Sequence, residues 1–169
     1  MNITVKRPLK TVDIITDMES MSQILQVAND LQTLKDEPTG GLTEGEMSQR
    51  RKQGKKLQEE LKKLIDAQEA STLVLTLRAV NASQWTQIVV KNTKTEKGVT
   101  TKDFPGMVQS ALSLMLEKTA WKNGEDVTLD DIPGFVNSLL DTQIMDIMGV
   151  IQTLNSPEIA LPKAILNLL

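Results

Sequence analysis

The ten residues STLVLTLRAV at 71–80 carry the clearest strand pattern in the chain. Leucine and valine alternate with threonine, and alternation of residues with high β-propensity predicts a half-buried strand. A shorter β-branched run, TVDIIT at 11–16, is bounded by Pro8 and Asp17 and predicts its partner strand. Because two strands alone are marginal in water, we expect helices to cover one face of this pair.

Two helices are predicted between these strands. In MESMSQILQVANDLQTLKD at 18–36 the apolar residues recur at helical spacing, and Asp17 is placed to cap the first turn. A break rich in glycine follows at 37–46. From 46 to 70 the chain is highly charged and has one narrow apolar stripe, made of Leu57, Leu61, Leu64 and Ile65. This pattern predicts a solvated helix with a single apolar edge.

Two stretches of the second half resemble each other, DFPGMVQSAL at 103–112 and DIPGFVNSLL at 131–140. In each, an aspartate stands where an N-cap accepts backbone N–H bonds, and a proline follows in the first turn. The repeat predicts two similar helix starts, and an old duplication is the alternative. The residues expected to face inward are Val108, Ala111, Leu112, Met115, Val136, Leu139 and Leu140.

The rest of the second half also reads as helical. A helix starting at Asn81 or Ser83 carries Trp85, Ile88 and Val89 on one face, and a polar loop is expected at 92–102. The helix that opens at Asp103 is expected to end at Lys122–Gly124. The last predicted helix is marked by Ile144, Ile147, Met148, Ile151 and Leu154.

The predicted fold class is α+β, mostly α. A small two-stranded sheet with helices occupies the N-terminal half, and a compact helical module occupies the C-terminal half. The expected divisions are a strand–helix–helix–strand region at 1–80, a helical module at 81–155 and a C-terminal tail at 156–169.

The composition argues against an enzyme. The chain contains neither cysteine nor histidine, so thiolate nucleophiles, disulfides and the commonest general base are excluded. We therefore expect no catalytic residues, no cofactor and no metal. No secretory signal or membrane-spanning run is visible, which favours a cytoplasmic protein without a membrane partner.

A basic cluster in the second predicted helix raises the alternative of nucleic-acid binding; it consists of Arg50, Arg51, Lys52, Lys55 and Lys56. Five acidic residues share the helix and no aromatic residue is interleaved. A solvated helix face is therefore the better interpretation, and we expect no nucleic-acid partner.

The order of these parts resembles the tail assembly chaperones of long-tailed phages, especially those of the type that infects actinobacteria. The resemblance covers most of 9–155, although the loop at 92–100 lacks the His-Pro-Pro character of the family. The matching residues are Leu75, Leu77, Arg78, Ala79, Val80, Trp85, Phe104, Pro105, Leu129, Asp130, Asp131, Leu139, Leu140, Asp141 and Asn155.

The resemblance implies a protein that binds the long helical tape-measure protein and keeps it soluble while the tail tube assembles. It implies action in the host cytoplasm, absence from the mature virion and, as a second partner, a longer frameshifted form of the same protein. A small structural protein of a phage tail or related tube is the alternative.

A chaperone for helical clients needs exposed apolar surface with adaptable packing. The candidate partner-binding residues are accordingly Trp85, Ile88, Phe104, Met107, Met115, Met145 and Met148. The alternative is that the methionines fill the core and that Trp85 anchors it.

Overall fold

The computed structural model describes residues 3–156. Helices hold 58% of them and strands 19%, which confirms the predicted mostly-α, α+β class. The strands are β1 (Leu9–Ile15), β2 (Thr72–Arg78), β3 (Thr93–Glu96), β4 (Val99–Lys102) and β5 (Leu116–Trp121). The helices are α1 (Met18–Asp36), α2 (Glu44–Ala70), α3 (Ala82–Lys91), α4 (Phe104–Met115), α5 (Ile132–Ser138) and α6 (Asp141–Asn155). Apart from Ser156, the predicted tail at 156–169 lies outside the described residues.

The main sheet has three strands in the order β1-β2-β5. At one end of the β1–β2 pair the Thr16 N–H donates to the Ser71 carbonyl (3.2 Å), and at the other the Ala79 N–H donates to the Pro8 carbonyl (3.0 Å). These two bonds make β1 and β2 antiparallel. The predicted pairing of the two strands is confirmed.

The third strand corrects two predictions, since the sheet was expected to have two strands and the α4 helix to continue to Lys122. Helix α4 ends at Met115 and the next six residues form β5. The Lys122 N–H donates to the Thr72 carbonyl (2.8 Å), and the Glu117 carboxylate accepts from the Arg78 guanidinium (Nη2–Oε2 3.2 Å). These partners lie far away in the sequence, and pairing with them decides the conformation in place of local propensity.

The predicted polar loop at 92–102 is instead an antiparallel hairpin. Strand β3 pairs with β4 from Thr93↔Lys102 to Glu96↔Val99. Lys97 and Gly98, which connect them, both have positive φ (49° and 79°), as a tight type I′ turn requires. With β3, β4 and β5, the C-terminal half is not the all-helical module that was expected.

Three helices begin at the aspartate caps that were predicted. The carboxylates of Asp17, Asp103 and Asp131 accept hydrogen bonds from backbone N–H groups three residues on, at 3.1, 3.0 and 2.9 Å. Each bond satisfies a donor that an α-helix leaves free in its first turn. The repeated sequence therefore marks two helix N-termini of the same local design.

The chain forms two compact units. The first comprises 3–12, Val74–Thr119 and 126–156, and the second comprises Asp13–Leu73 and Ala120–Glu125. Three of the four boundaries fall within β1, β2 and β5, and the fourth, between residues 125 and 126, follows β5. The predicted division at residue 80 stays a prediction.

The core of the first unit is built where α4 packs against α3, α5 and α6. Its buried side chains include all five that were expected on α6 and, on α4 and α5, Val108, Ala111, Leu112, Met115 and Val136. Leu139 and Leu140 were expected inward, but α5 ends at Ser138. Leu139 is half-buried, and Leu140, which precedes α6, is 50% exposed.

Candidate partner-binding groove

In the second unit α1 and α2 form an antiparallel helical hairpin. At one end the Gln68 side chain donates to the Met21 sulfur (3.2 Å), and at the other the Arg50 guanidinium donates to the Glu37 carbonyl (2.6 Å). The first bond joins the end of α2 to the start of α1, and the second joins the start of α2 to the end of α1. The two helices therefore run in opposite directions.

The seam of the hairpin repeats every three or four residues. Half-buried positions of α2 recur as Arg50, Gly54, Leu57, Leu61, Leu64 and Gln68, opposite the buried Ile24 and Leu31 of α1. This is the spacing at which two antiparallel helices interdigitate. No side chain of α2, all of which the structure describes, is fully buried. The helix is therefore covered along one side only.

An open groove of about 580 Å³ lies between the helices near the connecting loop; we call it the α1–α2 groove. Its apolar lining comes from Leu31 and Leu34 of α1 and from Met47 and Gly54 of α2. Leu31 is nearly covered, whereas Met47 is 37% exposed. The groove thus offers apolar surface to solvent in a volume typical of a binding cleft.

The rim of the α1–α2 groove is basic. Lys35, Arg51 and Lys55 stand at its edges, and every charged residue of its lining, Arg50 included, is cationic. Within residues 3–156, the side chains of Lys35, Arg51 and Lys55 make no ion pair or hydrogen bond. Their charges face solvent and are open to a partner.

Arg50 has a different role, because its guanidinium is already engaged. It donates to the carbonyls of Leu34, Glu37 and Pro38, where α1 ends. The last carbonyls of a helix have no partner within it and carry the negative end of the helix dipole, so a cation there stabilises the end. Arg50 thereby fixes the end of the hairpin beside the groove.

The start of α2 is held by a reciprocal cap. The Glu46 N–H donates to the Thr43 hydroxyl (3.3 Å), and the Thr43 N–H and hydroxyl each donate to the Glu46 carboxylate (2.7 Å). The two hydrogen bonds that the carboxylate accepts from Thr43 lower the pKa of Glu46 below its ordinary value, and the bond from the backbone N–H has the larger effect. The cap thereby fixes the first turn of α2, and Met47 of the groove wall follows directly after it.

The basic cluster singled out in the sequence is divided by the helix. Arg50 points to the end of α1, and Arg51 and Lys55 line the groove. Lys52 and Lys56 each follow one of these by one residue, about 100° further round the helix. The five cations thus do not form one continuous face of the helix.

The seven residues predicted to bind a partner all lie in the first unit. Ile88, Met107, Met115 and Met148 are buried in its core, and Trp85 and Phe104 are half-buried. Met145 alone among the seven is largely exposed, at 47%. Three of the four methionines thus lie in the core, as the alternative interpretation stated. Partner binding by the seven residues stays a prediction.

The α1–α2 groove was not predicted from the sequence. A signal was present in α2, where Gly54 interrupts the middle of a helix made mainly of strong helix formers. Two cations four residues apart, Arg51 and Lys55, stand on either side of it. The groove itself depends on how α1 and α2 align, and one sequence does not state that alignment.

The described part of the chain shows neither a group of three or more potential metal-ligating side chains nor a helix long and apolar enough to cross a bilayer. No protein-family model, curated protein or solved structure matches this chain.

Proposed function

We propose that this protein is a tail assembly chaperone of a long-tailed phage, which binds the helical tape-measure protein and keeps it soluble while the tail tube assembles. The observation that carries the proposal is the α1–α2 groove, with its apolar lining open to solvent between two helices. Such a groove suits the apolar face of a third helix. The resemblance over 9–155 supports the particular client.

In this proposal the protein acts by binding and not by catalysis. It works in the host cytoplasm and is absent from the mature virion, and its own longer frameshifted form is a further partner. The composition supports a binding role, since the chain lacks histidine and cysteine.

Co-expression with the tape-measure protein encoded beside it tests the proposal. The client is expected to be insoluble alone, soluble with this protein, and recovered with it as a complex. A client that stays insoluble in both cases, with no complex recovered, contradicts the proposal. Detection of the protein in purified particles supports the alternative, a structural tail component.

Two matched variants locate the surface. Met47→Glu places a charge in the groove wall, and Met145→Glu places one on the exposed side of α6. We expect Met47→Glu to reduce recovery of the complex and Met145→Glu to leave it unchanged. The reverse result would favour the surface predicted from the sequence.

A further inference from the structure

We infer that the α1–α2 groove binds one amphipathic helix whose apolar residues are flanked by carboxylates. This inference rests on the proposed function and names the chemistry of the client segment. The apolar residues of the helix enter between α1 and α2, and its carboxylates pair with Lys35, Arg51 and Lys55.

The length of the groove matches a helical ligand. Its wall on α2 runs from Met47 to Gln58. The eleven steps between these two residues, at a rise of about 1.5 Å each, give a wall about 16 Å long. Apolar anchors at i, i+4 and i+7 of a bound helix span about 10.5 Å, so three anchors lie within it.

The charges select the kind of helix. The lining contains cations and no acidic residue, and the cations of the rim lack partners in the described chain. A helix flanked by lysine would bring like charges together, whereas one flanked by glutamate or aspartate would form ion pairs at the edge of an apolar contact. Complementary charges of this kind favour one partner over another more than they add affinity.

Gly54 adds an independent argument. A glycine within a helix destabilises that helix relative to alanine. A Cβ on Gly54 would lie 3.5 Å from Leu34 Cδ2, an ordinary contact, so the packing of α1 on α2 leaves room for alanine. Helix packing alone does not require glycine there. Its effect is to leave space in the middle of the groove wall.

The probes are two synthetic helical peptides with leucine at the same i, i+4 and i+7 positions. One has glutamate on both flanks and the other has lysine. Fluorescence anisotropy with the full chain is expected to show binding of the glutamate peptide at least about tenfold tighter than that of the lysine peptide, and a preference that shrinks with added salt. Equal affinity for the two peptides, or no binding of either, overturns the inference.

Variants separate the groove from the rest of the helix. Arg51→Glu with Lys55→Glu should weaken the glutamate peptide at least about tenfold and strengthen the lysine peptide. Lys52→Glu with Lys56→Glu changes the net charge equally, and Lys56 has a glutamate four residues on (Glu60) as Lys55 has (Glu59). This control should leave both affinities within about twofold. Equal losses in the two double variants contradict the inference.

Filling the groove tests its apolar part. Gly54→Leu should abolish binding of the glutamate peptide. Circular dichroism is the control that tests whether this variant is folded. Gly54→Ala is the milder version should the leucine variant not fold, and it should weaken binding while raising stability. Binding unchanged in a folded variant overturns the inference.

A second copy of this chain is the competing occupant. Sedimentation showing a dimer that Gly54→Leu converts to a monomer would overturn the inference in favour of that occupant. The failure of this inference can be distinguished from the failure of the proposed function. If the co-expressed client is solubilised but the peptides show no charge preference, the inference fails alone; if the glutamate peptide binds as expected but the client is not solubilised, the proposed function fails alone.

Discussion

Gly106 and Gly134 each follow a proline in the first turn of a helix, and in both cases the capping carboxylate occupies the space that a side chain would need. A Cβ on Gly106 would lie 2.8 Å from Asp103 Cγ, and one on Gly134 would lie 2.8 Å from Asp131 Cγ. Contacts this short between carbon atoms are repulsive. The glycine of the repeat therefore allows the aspartate that caps the helix to approach the first turn closely.

We expect Gly106→Ala to lower the free energy of unfolding by about 1 kcal/mol, the typical value of an N-cap. The substitution displaces both Asp103 and Asn92, whose side-chain amide donates to Ile88 (2.8 Å) and Ser110 (3.2 Å). Gly149 lies in the exposed middle of α6, and a Cβ there would meet no atom within 4 Å. Gly149→Ala should instead raise the free energy of unfolding by up to about 1 kcal/mol. Urea denaturation measures both, and a shift of the same sign in the two variants contradicts the explanation.

The carboxyl of Glu46 predicts a pH dependence. Its pKa in the folded protein is lowered from 4.5 by the hydrogen bonds of Thr43, so folding favours the ionised form. The stability that it contributes is present above pH 4.5 and is lost as the pH falls through the lowered pKa. The pKa of the Glu117 carboxyl is also lowered, chiefly by the hydrogen bond from Arg78, so its protonation too reduces the stability of the fold as the pH falls.

Urea midpoints between pH 6 and pH 3 test this dependence. Glu46→Gln keeps an oxygen that can accept from Thr43 but does not titrate, so the fall in the midpoint should be shallower than in the wild type. An NMR titration in which Glu46 shows its ordinary pKa would contradict the prediction.

The elements differ in how well sequence predicts them. Helices α1 and α2 were predicted to within two residues at each end, because caps and apolar spacing are local signals. Strand β5 was missed because LEKTAW continues the apolar pattern of α4, and only pairing with β2 makes it a strand. The β3–β4 hairpin could have been predicted from Lys97-Gly98 between threonine-rich flanks.

At the end of the helical hairpin, we expect Arg50→Lys to lower the free energy of unfolding by about 1–2 kcal/mol. A lysine presents one compact ammonium, whereas the guanidinium spans three carbonyls at once. Arg51→Lys, one residue along and exposed, is the matched control and should change stability by less than about 0.5 kcal/mol. Thermal denaturation compares the two, and similar effects would show that Arg50 does not hold the hairpin.

At the scale of the whole molecule, β2 is the strand on which the main sheet depends, since it pairs on both edges. Its residues Leu75 and Leu77 are completely buried. The alternation in 71–80 thus predicted the most important strand, whereas the number of its neighbours could not be read from the same residues. The α1–α2 groove could not be predicted from the sequence for the same reason, because it forms only when two helices align.

Leu75→Ala should lower the free energy of unfolding by about 2–5 kcal/mol, since it opens a cavity beside the central strand. Leu25→Ala removes the same atoms from a side chain that is 58% exposed on α1, and its effect should be within about 0.5 kcal/mol. Urea denaturation followed by circular dichroism distinguishes them. Comparable losses would contradict the placement of Leu75 in the core.

The position of β2 between β1 and β5 also has a consequence during synthesis on the ribosome. The chain emerges from its N-terminus, so β1 and the helical hairpin are available to β2 at once, whereas β5 ends 43 residues after β2. At about 5–20 residues per second, β5 is complete roughly two to nine seconds later. During that interval one edge of β2 is unpaired in the nascent polypeptide. The nascent polypeptide is then most prone to aggregate with neighbouring chains.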